Sequence, residues 1–442
     1  MRIARSRSLS PLRLEREIDA MSHASRASLE TRQQRNLVRL LTEARTYSPF
    51  YRKWLAEYPL PRDEFDFEEF RTLPILTREM VRHEHERMKS EKASPDAFHA
   101  SATGGSTGTP MPFYTTTEAD LTRTLIRQRM ESLLGIRLGE RRLKLWGSEF
   151  EVTSMQNFAS KLMGRAINQR ILPAFELTEQ NLLEWLDLIE QFRPQVFEAY
   201  TDTLVLLARV LTRESRTLNH HPAAIIAAAE GINDVNRNIV QQAFGAPVLS
   251  RYGTRELGNL AHECLSGGMH IAEDFYLVEV LDGNDRPCTP GQEGRLIITD
   301  LTNRAFPLIR YEVGDMGSLA HADHQCACGQ PFRCILQITG RAGDQLELLD
   351  GRRITPGFFP HLLKEVACIE QYKIIQDKPD HVRILLRSER ELNDSEQSFL
   401  ARQLERHMPG MQYTIERHEV LPVSPSGKHR VVENLLVARE TP

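Results

Sequence analysis

Apolar positions recur every three to four residues through "TEADLTRTLIRQRMESLLG" and again through "TEQNLLEWLDLIEQFRP". That spacing predicts two amphipathic helices, one closing near Gly135 and the other stopped by Pro194. A similar pattern from Ser28 to about Glu57 predicts helix broken by a turn at "YSPFY". In "TLPILTREMVRHEHERM", Thr77 is an N-cap whose hydroxyl can accept from a first-turn N–H. "PQVFEAY", "AAIIAAAEGI" and "APVLSRYGT" are short apolar runs, and the helical "NDVNRNIVQQAFG" separates the last two. Strand, helix and strand in alternation predict an α/β sheet covered by helices. From about Gly267 the pattern turns strand-rich, with turns at "DGND" and "TPGQEG". After "ITGRAGDQLEL", a shorter unit holds two strand-like runs ("QYKIIQ" and "HVRILLRSE"), a helix ("SEQSFLARQLERHM") and a polar end. The expected division is residues 1–340 and 341–442, with the boundary near Arg341.

Composition narrows the classes. The chain has 442 residues, 40% hydrophobic and 26% charged, enough for two domains with large cores. Lys plus Arg is 56 and Asp plus Glu is 60, a net charge of -4, so no basic excess supports a nucleic-acid surface. Runs such as "TLVLLARVL" are far short of a membrane span. Six cysteines in a chain of this length do not make a disulfide framework and point to a reducing cytoplasm. The Arg- and Ser-rich start reads as a cytosolic tail rather than a transit peptide.

The chemistry begins at "SATGGSTGTP", Ser101 to Pro110. It is neither a Walker loop, having no lysine, nor a dinucleotide fingerprint. Its glycines, Gly104, Gly105 and Gly108, still let backbone N–H groups converge on phosphate oxygens, and Ser101, Thr103, Ser106, Thr107 and Thr109 bring hydroxyls. By itself the loop suits a phosphate and a plain turn equally. Four further segments follow in order: "RYGTREL" (251–257), "IRYEVGD" (309–315), "TGRAGD" (339–344) and "SPSGKHR" (424–430). This series resembles the adenylate-forming enzymes. With the early "ARTYSPFYRKWL" and "LPILTREMVR", it is most similar to their phenylacetate–coenzyme A ligase branch.

The resemblance implies an α/β fold: a large N-terminal adenylate-forming domain with mixed sheets flanked by helices, and a small mobile α+β C-terminal domain. It implies that the glycine loop holds the β- and γ-phosphates of ATP. Tyr252 and Gly253 then lie against the adenine, Thr254 touches the α-phosphate and Glu256 helps hold Mg2+. Asp315 accepts from the ribose hydroxyls, Arg341 faces the nucleotide, and Lys428 reaches in from the small domain. The acid would attack the α-phosphorus and expel pyrophosphate, so the protein need only align the groups and neutralise charge. The small domain would then rotate, and coenzyme A would take the acyl group, releasing AMP. One departure concerns the hinge. The family's acid two places after the "TGR" arginine is here Gly343, and the acid follows at Asp344. Asp344 and the backbone freedom of Gly343 are the hinge candidates.

Cysteine spacing offers a metal site. "HECLSGGMH" supplies Cys264 and His270, and "HADHQCACGQPFRC" supplies Cys326 and Cys328, with Cys334, His321 and His324 nearby. Two such clusters meeting across a hairpin, in an insert about 262–334, would make a Cys3His tetrahedron suited to structural zinc. The alternative is a set of reduced cysteines beside unrelated histidines. For the acid, family analogy points to Trp146, Phe150, Ala229, Glu230 and Gly231, an aromatic wall backed by small residues that would take an aromatic carboxylic acid. Polar Ser148 and Glu149 favour a ring with hydroxy or amino substituents. The expected activity is therefore aryl–coenzyme A ligation in the cytoplasm, by a monomer or homodimer without nucleic-acid or membrane partners. Passing the same adenylate to a carrier-protein thiol, an amine or a hydroxyl is the alternative. A non-catalytic nucleotide-binding protein and a zinc-organised interaction protein are the competing classes.

Overall fold

The structure is a computed structural model. It describes residues 11–58, 67–103, 111–137, 139–146, 168–172, 179–228, 231–341, 346–354, 358–363, 365–366, 368–388, 390–419, 421 and 431–436. The helices are α1 Pro11–Ala20, α2 Arg26–Tyr47, α3 Pro49–Trp54, α4 Phe67–Arg71, α5 Arg78–Met88, α6 Thr117–Ser132, α7 Glu179–Phe192, α8 Thr201–Arg213, α9 Asp234–Phe244, α10 Phe358–Leu363 and α11 Asp394–His407. The strands of the larger part are β1 Phe98–Ala102, β2 Pro112–Thr116, β3 Arg142–Leu145, β4 Gln169–Leu172, β5 Val196–Tyr200, β6 Ala224–Ala228 and β7 Val248–Thr254. They continue with β8 Gly258–Glu263, β9 Met269–Ile271, β10 Tyr276–Leu281, β11 Gly294–Asp300, β12 Tyr311–Leu319 and β13 Cys334–Arg341. Toward the C-terminus come β14 Leu346–Glu347, β15 Arg353–Ile354, β16 Ile369–Lys378, β17 His381–Ser388, β18 Gln412–Arg417 and β19 Val432–Asn434.

The elements start where the polar residues allow. Thr77 caps α5 by accepting from Met80 N–H at 3.2 Å, as its place in the sequence predicts. Asn233 caps α9, and Gly245 closes it at φ 61°, a left-handed conformation that glycine takes without strain. The loop read as glycine-rich joins two strands that the sequence pattern had not suggested. β1 and β2 form an antiparallel hairpin in which Ala102 pairs with Pro112.

Among the described residues the main sheet runs β10-β11-β12-β13-β9-β8-β7-β6-β5-β3-β4. Its β4-β3-β5-β6-β7 half is parallel, and the remainder is antiparallel. β7 is where the two halves meet: it pairs parallel with β6 and antiparallel with β8. One apolar core packs α7, α8 and α9 against the parallel half. A second gathers α2, α3 and α5 with the antiparallel half. A third, drawn from Leu346 to Val432, belongs to the C-terminal residues, whose four-stranded sheet runs β18-β17-β16-β19.

Candidate functional site

At the junction strand β7, four separated sequence segments are stitched together by side chains. Tyr252 donates from its hydroxyl to Asp315 at 2.8 Å, joining β7 to β12. Tyr311, at the start of β12, donates back to the Glu256 carboxylate at 3.0 Å. Glu256 is buried, and Arg123 of α6 holds its carbonyl at 2.8 Å while also pairing with Asp300 at 2.7 Å. The segment before α5 joins the same strand, with Leu76 N–H donating to Arg310 carbonyl and Glu312 N–H to Leu76 carbonyl. Arg310 sits at φ 47°, a left-handed conformation costly for a side chain, and Glu279 grips it through two bonds of 3.1 Å.

The root of the glycine loop is tied to this network by two arginines. Arg78, in the first turn of α5, donates to the Thr103 hydroxyl, which also accepts from Met111 N–H at 3.0 Å. Arg255 donates to the Ala102 carbonyl at 3.1 Å. Ser101 precedes Ala102 on β1 and pairs with Phe113 of β2. Gly104, Gly105, Ser106, Thr107, Gly108 and Thr109 lie outside the described residues, as do Lys428, Gly343 and Asp344. The Arg341 backbone pairs with Asp315 across β12 and β13; its side chain is outside the described set. The Thr254 hydroxyl accepts from Leu257 N–H at 3.2 Å, which shapes the β7–β8 turn. Gly253 is fixed by that turn, because a Cβ there would lie 2.1 Å from the Gly258 carbonyl oxygen. Sequence reasoning missed Arg78 and Arg255; the available signal was that one follows the Thr77 cap and the other lies within "YGTREL".

Beside the nucleotide motifs, the C-terminal ends of the parallel strands carry aromatic and charged groups. Trp146 stacks on Tyr200 with ring centres 4.6 Å apart, and the Lys144 ammonium lies 4.0 Å over the Trp146 ring. Lys144 also reaches Glu198 at 3.0 Å. Glu198 accepts further from Arg251 and Arg142. Burial alone would raise the Glu198 pKa, but the charges of Arg251, Lys144 and Arg142 outweigh it and hold the carboxyl well below its usual range. Gly231 lies just past β6, while Phe150, Ala229 and Glu230 are outside the described residues.

The cysteine motifs converge. Ligand atoms of Cys264, His270, Cys326 and Cys328 all lie within 4.8 Å of one another. Cys264 and Cys326 sulfurs are 3.6 Å apart, and His270 Nε2 is 3.1 Å from Cys328 Sγ. Cys264 sits in the β8–β9 turn, and Cys326 opens a turn closed by Gly329 N–H. His270 Nδ1 is 2.9 Å from the Phe332 carbonyl, which can only accept. Nδ1 therefore carries the proton, and Nε2 presents its lone pair to the sulfurs. A Cβ on Gly268 would lie 2.7 Å from Cys326 Sγ, so glycine leaves the room the cluster occupies. Burial, then hydrogen bonding with Cys326 and Cys264, pushes the Cys328 thiol up to about 12. Three thiolates and an imidazole this close fit a soft divalent cation such as zinc, which would stabilise the deprotonated sulfurs. His321 is exposed and bonds to Asp323 instead.

The family described as CapK C-terminal domain matches residues 346–435. Protein CapK of Staphylococcus aureus is 22% identical over 398 residues, covering 88% of this chain and 85% of that one. A phenylacetate-coenzyme A ligase of Thermus thermophilus is 25% identical over 384 residues, covering 84% and 81%. Among solved structures, 2-hydroxyisobutyryl-CoA ligase in its postadenylation state superposes with TM-score 0.74 at 17% identity, over 99% of this chain and 95% of that one. An anthranilate CoA ligase bound to anthranoyl-AMP gives TM-score 0.55 at 15% identity, over 77% and 67%. The fold is that of the adenylate-forming enzymes. Within that fold the chain is similar along most of its length to phenylacetate-coenzyme A ligases. No helix among the described residues is long and apolar enough to cross a membrane.

Proposed function

We propose that this protein is an AMP-forming acid–thiol ligase that joins an aromatic carboxylic acid to AMP and then hands the acyl group to coenzyme A. The observation that carries the reading is the Tyr252–Asp315 and Tyr311–Glu256 pair of links, which hold together an aromatic face on β7, a diol-binding carboxylate on β12 and a buried acid in the β7–β8 turn. Asp315 offers two oxygens to a ribose diol, with Tyr252 steadying one. The loop from Ser101 to Thr109 wraps the β- and γ-phosphates, and Arg78 and Arg255 fix its root. Mg2+ would take Glu256 with water and phosphate oxygens, ligands this hard cation prefers. Trp146 on Tyr200 gives a flat wall for an aromatic ring. Lys428 reaches the carboxylate and α-phosphate from the C-terminal domain, residues 341–442, while Arg341 faces the nucleotide near the hinge formed by Gly343 and Asp344.

A structural zinc held by Cys264, His270, Cys326 and Cys328 buttresses β8, β9 and the turn before β13, on the far side of β7's neighbour. Four protein ligands leave no open position for water, so it takes no part in the reaction. Thiols that must stay reduced to hold it suit the cytoplasm. Transfer of the same adenylate to a carrier-protein thiol, an amine or a hydroxyl, rather than to coenzyme A, is the second reading. Incubation with ATP, Mg2+ and a panel of aryl acids, with and without coenzyme A, decides between them. The proposal expects AMP with an acyl-coenzyme A thioester for at least one acid. AMP formation indifferent to coenzyme A would refute the thioester half.

A further inference from the structure

We propose that the acid this protein activates carries a second carboxylate, bound over the ends of the parallel strands by Lys144 and Arg251. The inference rests on the reading above, in which those strand ends floor the acyl pocket. Lys144 pairs in register with Glu198, and the same register carries Leu145 to Ala199. Trp146 and Tyr200 follow at the strand ends, one layer nearer the crevice where open α/β sheets bind ligands. Arg251 immediately precedes Tyr252 on β7. The charged layer thus lies beneath the aromatic wall and beside the adenylation motifs.

Among the described residues the charges in that layer do not balance. Arg127, Arg142, Lys144 and Arg251 are four cations, and they share two carboxylates, Glu131 and Glu198. His262, paired with Arg251 across β7 and β8, is 4% exposed and has no hydrogen-bond partner at either ring nitrogen among the described residues. Burial, and then the charge of Arg251, drive its pKa well below the ordinary value, so it adds two unmet polar atoms rather than charge. A structural ion-pair cluster would be expected to neutralise itself, because uncompensated buried charge and orphaned polar atoms are costly. An anion completes this one. Lys144 is its door: 22% of its side chain is exposed, against 6% for Arg251 and 1% for Glu198. Among the described residues its three donors meet one carboxylate and the Trp146 face, leaving it suited to an incoming carboxylate. A ligand with a carboxylate at each end would present one to the α-phosphate and the other to Lys144.

Pyrophosphate exchange on matched acids tests this: butyrate against succinate, and phenylacetate against 4-carboxyphenylacetate. The expected result is at least a roughly tenfold preference in kcat/KM for the diacid of one pair. Lys144→Gln should erase that preference through KM for the acid with KM for ATP unchanged, and Lys144→Arg should restore it. Wild-type protein that uses the monoacid equally well, or a preference surviving in Lys144→Gln, overturns the inference while exchange itself upholds adenylation. If none of the four acids supports exchange, their thermal shifts on the wild-type protein decide. The diacid must raise the midpoint more than its partner, and equal shifts overturn the inference.

Discussion

Tyr252 and Asp315 stand 63 positions apart in the sequence and share one hydrogen bond of 2.8 Å. The sequence singles out both because each lies in a motif with a fixed place in an ordered series. Arg255 is not singled out, since one arginine has no pattern of its own, and its partner, the Ala102 carbonyl, becomes visible once the hairpin exists. Its exposed guanidinium both steadies the root of the glycine loop and brings positive charge to where phosphates would lie. Arg255→Gln is therefore expected to raise KM for ATP by roughly tenfold, about 1.4 kcal/mol of binding, while the thermal midpoint stays put. A midpoint that falls with KM unchanged would make Arg255 a structural brace alone.

Among the elements, the long periodic helices and the apolar strands of the parallel half were readable in the sequence because burial of one face imposes its period. The hairpin around the glycine loop was not: "FHASA" offers four small or polar residues and one aromatic, and pairing with β2 rather than propensity makes it a strand. β7's change from parallel to antiparallel partners is likewise a property of its neighbours. The cysteine turns were legible as candidates, and the fold brings them together through β9, whose His270 pairs with Cys334 of β13. If a cation joins those turns, Cys264→Ser should lower bound zinc from about one per chain to well under half and reduce the thermal midpoint by several degrees. Elemental analysis and a thermal scan of the purified full chain check it. A metal-free wild-type protein with the same midpoint after chelation would dismiss the site.

For the molecule as a whole, the C-terminal core is separate from the two cores of the main sheet, and the contact between them includes an ion pair. Glu370 of β16 meets Arg209 of α8 at 2.8 Å and Arg387 of β17 at 3.1 Å. A C-terminal domain that rotates between half-reactions must exchange the Arg209 contact for another, a modest cost for a partly exposed pair. The change of texture near Arg341 is what marks a boundary in the sequence, whereas no local pattern could report how the C-terminal unit docks. Acid-dependent exchange of labelled pyrophosphate into ATP tests the joint site most directly, in wild-type protein and in Asp315→Ala with its fold verified by thermal scan. The account predicts exchange above the acid-free level in the first and at least a roughly hundredfold loss in the second. Exchange of equal rate in both proteins would contradict it.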